Sequence, residues 1–299
     1  ESYGDESFYA PLLRGLSHKP FMMHIYGSEF TTPSWPSSHQ FPMAYSSDYC
    51  NAVTSNIVAN GGRPIQGFEW DNENGLSKDA VSLMEPIYRQ VKEKQPYVQN
   101  AVPVTYAAIV YSNDTKLYYS RNDPEKSLVP NLRGALDLLQ KLHVPVEFLC
   151  DLDLDLENLR KFQVVILPNA AVLTKPRLEA ITRYVKEGGS ILSTYETSLC
   201  DELGEKKGNF GLSEVFGLKY VSTRSNAVDV TNKGGTCLAP TDGLMTHIQA
   251  AFAPGKAYPL FMPGPSVEAE PVSGVTEATL SLNPGPGGIS GHEPPCRPC

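Results

Sequence analysis

The sequence has no basic stretch. Its 25 Lys and Arg are outnumbered by 33 Asp and Glu, for a net charge of -8, and the cations are dispersed along the chain. A phosphate backbone is held by a concentrated positive field, so nucleic acid is not an expected partner. Long apolar runs are missing too: none approaches the roughly 20 residues that span a bilayer. The first residues, ESYGDESFY, are polar and acidic, unlike a signal peptide. No membrane partner is expected.

Cysteine is sparse and scattered. The six residues, at 50, 150, 200, 237, 296 and 299, fit neither a disulfide framework nor paired zinc knuckles, and reduced thiols point to the cytoplasm. Cys296 and Cys299 form C-x-x-C within GHEPPCRPC, without the strand and helix of a redox motif or a second pair to complete a zinc site. Phosphate-binding glycine runs are also lacking. The loop after TYAAIVYS reads NDTKLYYS, with no G-x-G-x-x-G, so neither nucleotide nor flavin is expected and no cofactor is implied. DLDLDLE suggests calcium, yet counted from Asp151 it places Leu156 at the sixth position and Phe162 at the twelfth, where a calcium loop needs glycine and glutamate. An alternating strand edge is expected there, and no metal site.

What the sequence does have is length and apolar content: 299 residues, 41% hydrophobic, enough for about two domains. SFYAPLLRGLS spaces Tyr9, Leu12, Leu13 and Leu16 for one helical face. KPFMMHIYG, bounded by Pro20 and Gly27, reads as a buried parallel strand. SSDYCNAVTSNIVANGG reads as a helix capped by Ser46 or Ser47 and ended by glycines, and RPIQGFEW as the next strand. Ser77 can cap SKDAVSLMEPIYRQVKEKQ, whose Val81, Met84, Ile87, Tyr88 and Val91 form an apolar stripe that Pro86 should kink or offset. This alternation, with polar and aromatic residues after each strand, predicts the last units of a (β/α)8 barrel over residues 1–100, because barrel active sites are built at the carboxyl ends of the strands.

PYVQNAVPV reads as a linker into a second α/β pattern. TYAAIVYS, PVEFLC, QVVILPNAA and SILSTYE are strands separated by the helices NLRGALDLLQKLHV, LENLRKF and KPRLEAITRYVKEGG. Right-handed crossovers on a parallel sheet predict a flavodoxin-like domain over 101–222. Residues 223–282 carry short β-like runs broken by Gly and Pro, which close that domain or open a β module. The Pro- and Gly-rich tail, 283–299, is expected to be disordered. The expected fold class is therefore α/β, a partial barrel followed by a flavodoxin-like parallel-sheet domain.

From Thr105 to Tyr220 the chain resembles the trimerisation domain of the glycoside hydrolase family 42 β-galactosidases, a domain related to class I glutamine amidotransferases. The stretch QVVILPNAAVLTKPRLEAITRYVKEGGSILSTYETSLCDELG carries the likeness. Residues 1–100 are similar to the end of the barrel that precedes that domain, and KPFMMHIYG resembles the strand that bears the nucleophilic glutamate in family 42. Here His24 and Ile25 stand in its place. The chain is more similar to the group that includes the family 151 α-L-fucosidases, where the resemblance implies a nucleophilic aspartate on a strand preceding residue 1. A part of a longer protein is therefore expected.

Hydrolysis of a glycosidic bond needs two carboxyl groups, one protonated and one ionised, about 5 Å apart for retention and about 6.5–9.5 Å for inversion. The candidates for the acid/base carboxylate are Glu1, by its position before the helix counted as the sixth, and Glu29 and Glu69 after the two strands. Trp35 and Trp70 are candidates to cover the apolar face of a sugar. His24 can hydrogen-bond a hydroxyl or orient a carboxylate. The amidotransferase nucleophile is missing: Tyr195 and Glu196 occupy its turn, and Cys200 follows too late, as an isolated buried thiol. The expectation is part of a glycoside hydrolase acting on terminal fucosyl or galactosyl residues. It is expected to be a homo-oligomer, possible as a trimer, through a non-catalytic second domain. The alternative is an inactive assembly or carbohydrate-binding protein.

Overall fold

The computed structural model describes residues 3–17, 19–26, 28–29, 43–44, 46–67, 70–71, 75–76, 78–224, 236–240, 260–262, 266–273 and 278–282. In chain order the first elements are α1 (Tyr3–Leu16), β1 (Met22–Tyr26), β2 (Ser28–Glu29), β3 (Met43–Ala44), α2 (Ser47–Ala59), β4 (Arg63–Gly67), β5 (Trp70–Asp71), β6 (Gly75–Leu76) and α3 (Lys78–Val98). Next come β7 (Ala107–Tyr111), α4 (Pro124–Ser127), α5 (Val129–Lys141), β8 (Val146–Cys150), α6 (Leu156–Leu159), β9 (Val164–Pro168), α7 (Lys175–Lys186) and β10 (Ser190–Thr194). The last are α8 (Ser213–Phe216), β11 (Leu218–Arg224), β12 (Thr236–Pro240), β13 (Leu260–Met262), β14 (Ser266–Pro271) and β15 (Ala278–Leu282). Strands β7 to β10 form a sheet in the order β10-β9-β7-β8, parallel where β7 meets β8 and β9. Contacts group the chain into two compact units: Glu1–Tyr111 with Val129–Ile166, and Ser112–Leu128 with Leu167–Cys299.

In the first unit, β1 and β4 run parallel, with His24 opposite Ile65. Side chains alternate across a strand, so Met23 and Ile25 share one face. That face is the packed one: Ile25, Tyr49, Cys50, Val53, Ile57, Met84 and Ile87 make a buried cluster of β1, α2 and α3, with Met23, Leu83 and Tyr88 against it. Ser46 is the residue that caps α2, its hydroxyl accepting from the Tyr49 N–H at 3.2 Å. The two glycines past the helix end do different jobs. Gly61 takes a φ of +78°, which favours glycine, whereas a Cβ at Gly62 would stand 2.5 Å from the Phe21 ring.

Three sequence expectations are corrected here. Of the expected face of α1, Leu12 is buried, as are Phe8 and Ala10 beyond it, while Tyr9, Leu13 and Leu16 are only half-buried. The reason is what α1 packs on. Phe8 meets Phe148 of β8 edge-to-face with centroids 5.8 Å apart, the Arg133 guanidinium lies 4.6 Å over the Phe8 ring, and a Cβ at Gly15 would lie 2.1 Å from the Phe148 carbonyl oxygen. Arg14 donates to Asn60 Oδ1 at 3.0 Å and to the Val146 carbonyl at 3.2 Å. Second, α3 continues through Pro86 and Pro96 to Val98, so the helix takes up the first residues of the expected linker. The turn beyond Pro96 is closed by the Gln99 N–H on the Gln95 carbonyl at 2.9 Å. Third, the DLDLDLE run is no strand edge. Asp151–Asp153 form a 3-10 turn, and Asp155 caps α6, accepting from the Asn158 N–H at 2.9 Å. Among the described residues no group of three or more His, Cys, Asp or Glu is placed to hold a metal ion, and no helix is long and apolar enough to cross a membrane.

In the second unit, a π-helical turn (Thr115–Tyr119) follows the short helical start after Ser112. Arg177 of α7 pairs with Asp114 at its base. β11 pairs antiparallel with β14, with a bulge between Tyr220 and Ser222, and β12 lies between β13 and β15. The tail, 283–299, falls outside the described residues.

Candidate functional site

The residues expected to contact sugar come from the first unit. Glu1, Trp35 and Glu69 lie outside the described residues. Glu29 and Trp70 are described in backbone only: Glu29 pairs with Met43 between β2 and β3, and Trp70 with Leu76 between β5 and β6. Each short antiparallel pair follows directly on a parallel strand. His24 is exposed. It shares the face of β1 opposite Ile25, together with Met22, which is 62% exposed, while Ile65, its partner in register, is 40% exposed. The β1–β4 pair is thus covered by helices on one face and carries a histidine among apolar side chains on the other.

A second cluster lies in the second unit, around the turn after β10. Tyr195 has φ +53°, and Asn169 and Ser198 beside it have φ +52° and +63°. Left-handed backbone at residues other than glycine costs about 1–2 kcal/mol each, so the surrounding structure must hold this turn. It does so through Glu196, whose side chain is fully buried. The carboxylate accepts from the Tyr119 hydroxyl at 2.7 Å and is also bonded by Lys206 Nζ and Thr223 Oγ1. The Thr197 hydroxyl donates to the Leu167 and Thr194 carbonyls at 2.9 and 2.8 Å. Burial, and then the Glu196 charge, push the Tyr119 phenol well above the usual tyrosine range.

The sequence resemblance would put an amidotransferase nucleophile at this turn. Tyr195 holds the strained position, but burial lifts its phenol to about 12, and the Glu196 carboxylate is bonded by three donors. Cys200 is fully buried, and burial followed by the Glu196 charge raises its thiol to about 11. A nucleophilic cysteine needs a lowered pKa and access; Cys200 has neither. Beyond β7 the buried hydroxyls of Ser112 and Thr115 are likewise engaged by hydrogen bonds. Ser112 Oγ donates to the Val172 carbonyl at 3.2 Å and accepts from Thr115 Oγ1 at 2.8 Å, while Thr115 Oγ1 accepts from the Val172 N–H at 3.0 Å. The Glu196 cluster had no sequence signal as a unit, since its members lie 10, 27 and 77 residues from the glutamate.

The chain has the fold of one portion of certain glycoside hydrolases. A β-galactosidase from Bacillus circulans sp. alkalophilus matches 94% of this chain with a TM-score of 0.72 at 14% identity, and one from Rahnella sp. R3 matches 93% with a TM-score of 0.71 at 16% identity. An α-L-fucosidase isoenzyme from Paenibacillus thiaminolyticus matches 93% with a TM-score of 0.69 at 16% identity. The chain spans about two-fifths of the length of these enzymes, 42%, 41% and 37% respectively. No protein-family profile and no curated protein sequence matches it.

Proposed function

We propose that this chain is part of a glycoside hydrolase acting on terminal fucosyl or galactosyl residues. Residues 1–100 supply the last units of its (β/α)8 barrel, and residues 101–222 form a flavodoxin-like oligomerisation domain without catalytic chemistry. Residues 223–282 close that domain or open a β module. The observation that carries this reading is the β1–β4 parallel pair, packed by α2 and α3 on one face and presenting His24 on the other. That is the arrangement of strands whose second face lines a barrel interior. The likeness to β-galactosidases and an α-L-fucosidase supports the substrate class.

In this reading Glu1, Glu29 and Glu69 are the candidates for the acid/base carboxylate. Trp35 and Trp70 cover the sugar ring, and His24 holds a hydroxyl or a carboxylate in place. The buried free thiols Cys50, Cys150 and Cys200 suit a reducing, cytoplasmic setting. Assembly runs through the second domain, as a homo-oligomer and in the simplest case a trimer. The test is hydrolysis of nitrophenyl fucosides and galactosides by the full-length protein that contains this chain, with Glu29→Gln and Glu69→Gln introduced singly. One of the two changes lowers kcat by at least ~100-fold if that residue is the acid or base. Rates unaffected by both would remove the two assignments.

The alternative is an inactive assembly or carbohydrate-binding protein, favoured by His24 and Ile25 standing where a family 42 nucleophile would be. Sugar binding without turnover in the same assays would select it.

A further inference from the structure

The loop between Cys200 and Lys206, which meet in an antiparallel bridge, is acidic and fixed, with a leucine at its tip. Asp201, Glu202 and Glu205 are exposed, and Leu203 among them is 67% exposed. The Asp201 carboxylate accepts from the N–H groups of Leu203 and Glu205, both at 2.9 Å. The Asp201 N–H donates to the Glu205 carbonyl at 2.9 Å, and the Gly204 N–H to the Asp201 carbonyl at 3.1 Å. Gly204, at φ +85°, lies so close to the Tyr118 carbonyl oxygen that a Cβ would stand 2.5 Å from it. A loop held in this way gives up little conformational freedom when it is bound.

A surface of the opposite character lies in the same unit, on α7. Lys175, Leu178, Thr182 and Lys186 are three, four and four residues apart and form one stripe along the helix; with Gly211 they line a groove of about 430 Å³. At 1.5 Å per residue the two lysines are about 16 Å apart along the axis, and Leu178 supplies an apolar floor between them. Among the described residues the lining carries three cations, Lys175, Arg183 and Lys186, against one carboxylate, Glu179. Arg183 also meets Glu187 at 3.0 Å, an exposed pair of the kind that contributes little. Groove and loop are thus complementary twice over, a basic rim for an acidic one and an apolar floor for an apolar tip.

We propose that the Asp201–Glu205 loop of one copy docks in the α7 groove of a second copy, with Leu203 on Leu178 and the Glu202 and Glu205 carboxylates toward Lys175 and Lys186. The inference rests on the assembly through the second domain proposed above and names its contact. Loop and groove are different surfaces of one chain, so copies add head to tail and close into a ring where the rotation between them permits. A specific interface buries about 1,200–2,000 Å² in all. This contact is its anchor, a buried leucine inside a charged rim.

The test is sedimentation velocity of the full-length protein that contains this chain, over a concentration series at low and high salt. The parent should assemble, and less tightly at high salt, where the rim charges are screened. Leu203→Ala, and Lys175→Glu together with Lys186→Glu, should each weaken assembly by ~10-fold or more, the loss expected at an anchor. Mixed together, these two variants should associate again, because one intact loop still faces one intact groove. Glu202→Lys and Glu205→Lys added to the two lysine changes in one chain should restore assembly as well, which a misfolded chain would not do. A monomeric parent overturns the assembly reading along with this contact. An oligomeric parent that neither variant disturbs overturns this contact alone, as does a loss of assembly that neither the mixture nor the swapped chain recovers.

Discussion

The Tyr119 hydroxyl donates to the Glu196 carboxylate at 2.7 Å across 77 residues of chain, joining the π-helical turn after β7 to the strained turn after β10. Because that carboxylate is also bonded by Lys206 and Thr223, its removal leaves three polar groups to find other partners. Glu196→Ala should therefore destabilise the chain by about 3–5 kcal/mol, the cost of breaking a buried charged network from one side. Tyr119→Phe removes one hydrogen bond to a charged acceptor and should cost about 1.5–3 kcal/mol. Urea unfolding of both variants checks the order, and a Glu196→Ala chain as stable as its parent would refute the structural role.

Alkaline pH should weaken the same region. Cys200 titrates near 9 when free and at about 11 here, and Tyr195 near 10 when free and at about 12 here, both raised chiefly by burial. Raised acids keep their protons longer when folded than when unfolded, so above pH 9 the unfolded state binds fewer protons and stability falls as pH rises. The contribution of Cys200 is complete below pH 9 and is lost between 9 and 11; that of Tyr195 is lost between 10 and 12. Urea midpoints measured at pH 8, 9.5 and 11 should decline. Cys200→Ala should flatten the first part of the decline, and its thiol should react with a disulfide reagent only on unfolding.

Gly15 sets two effects against each other. Alanine improves helix propensity by about 1 kcal/mol, but its Cβ would stand 2.1 Å from the Phe148 carbonyl oxygen, and backbone cannot swing aside as a side chain can. Overpacking of this kind costs about 1–3 kcal/mol, so the clash wins. Gly15→Ala should lower the melting temperature, whereas Gly134→Ala, in a helix with no atom within 4 Å of the new methyl, should raise it.

Strands and helices were legible wherever one local pattern decided them. The apolar runs of β7 and β9, and the leucine spacing at Leu132, Leu136 and Leu139 in α5, needed no distant partner to be read. Capping was legible as well, and the structure chose Ser46 over Ser47. The errors came where tertiary contacts overrode local pattern. Leu13 and Leu16 looked like core beside Leu12, yet the buried face of α1 is turned toward Phe8, because Phe148 packs there. The aspartates of DLDLDLE alternate like a strand, yet the Asp155 carboxylate accepts from the Asn158 N–H in the first turn of α6. At the turn after β10 the sequence shows Tyr195 and Glu196 but not the partners of Glu196, since Lys206 and Thr223 reach it only once the chain has folded back.

The grip of α1 on β8 changes what the segment between α3 and β7 does. Ala101 to Val104 are exposed, with Val102 and Val104 each 86% accessible, so this stretch is an open target for a protease. Yet α1 and β8, on opposite sides of it in sequence, are held together by Phe8, Arg14 and Gly15. A cut after Ala101 should thus sever the peptide without releasing the pieces. On native gel filtration they should elute together, and only denaturant should part them.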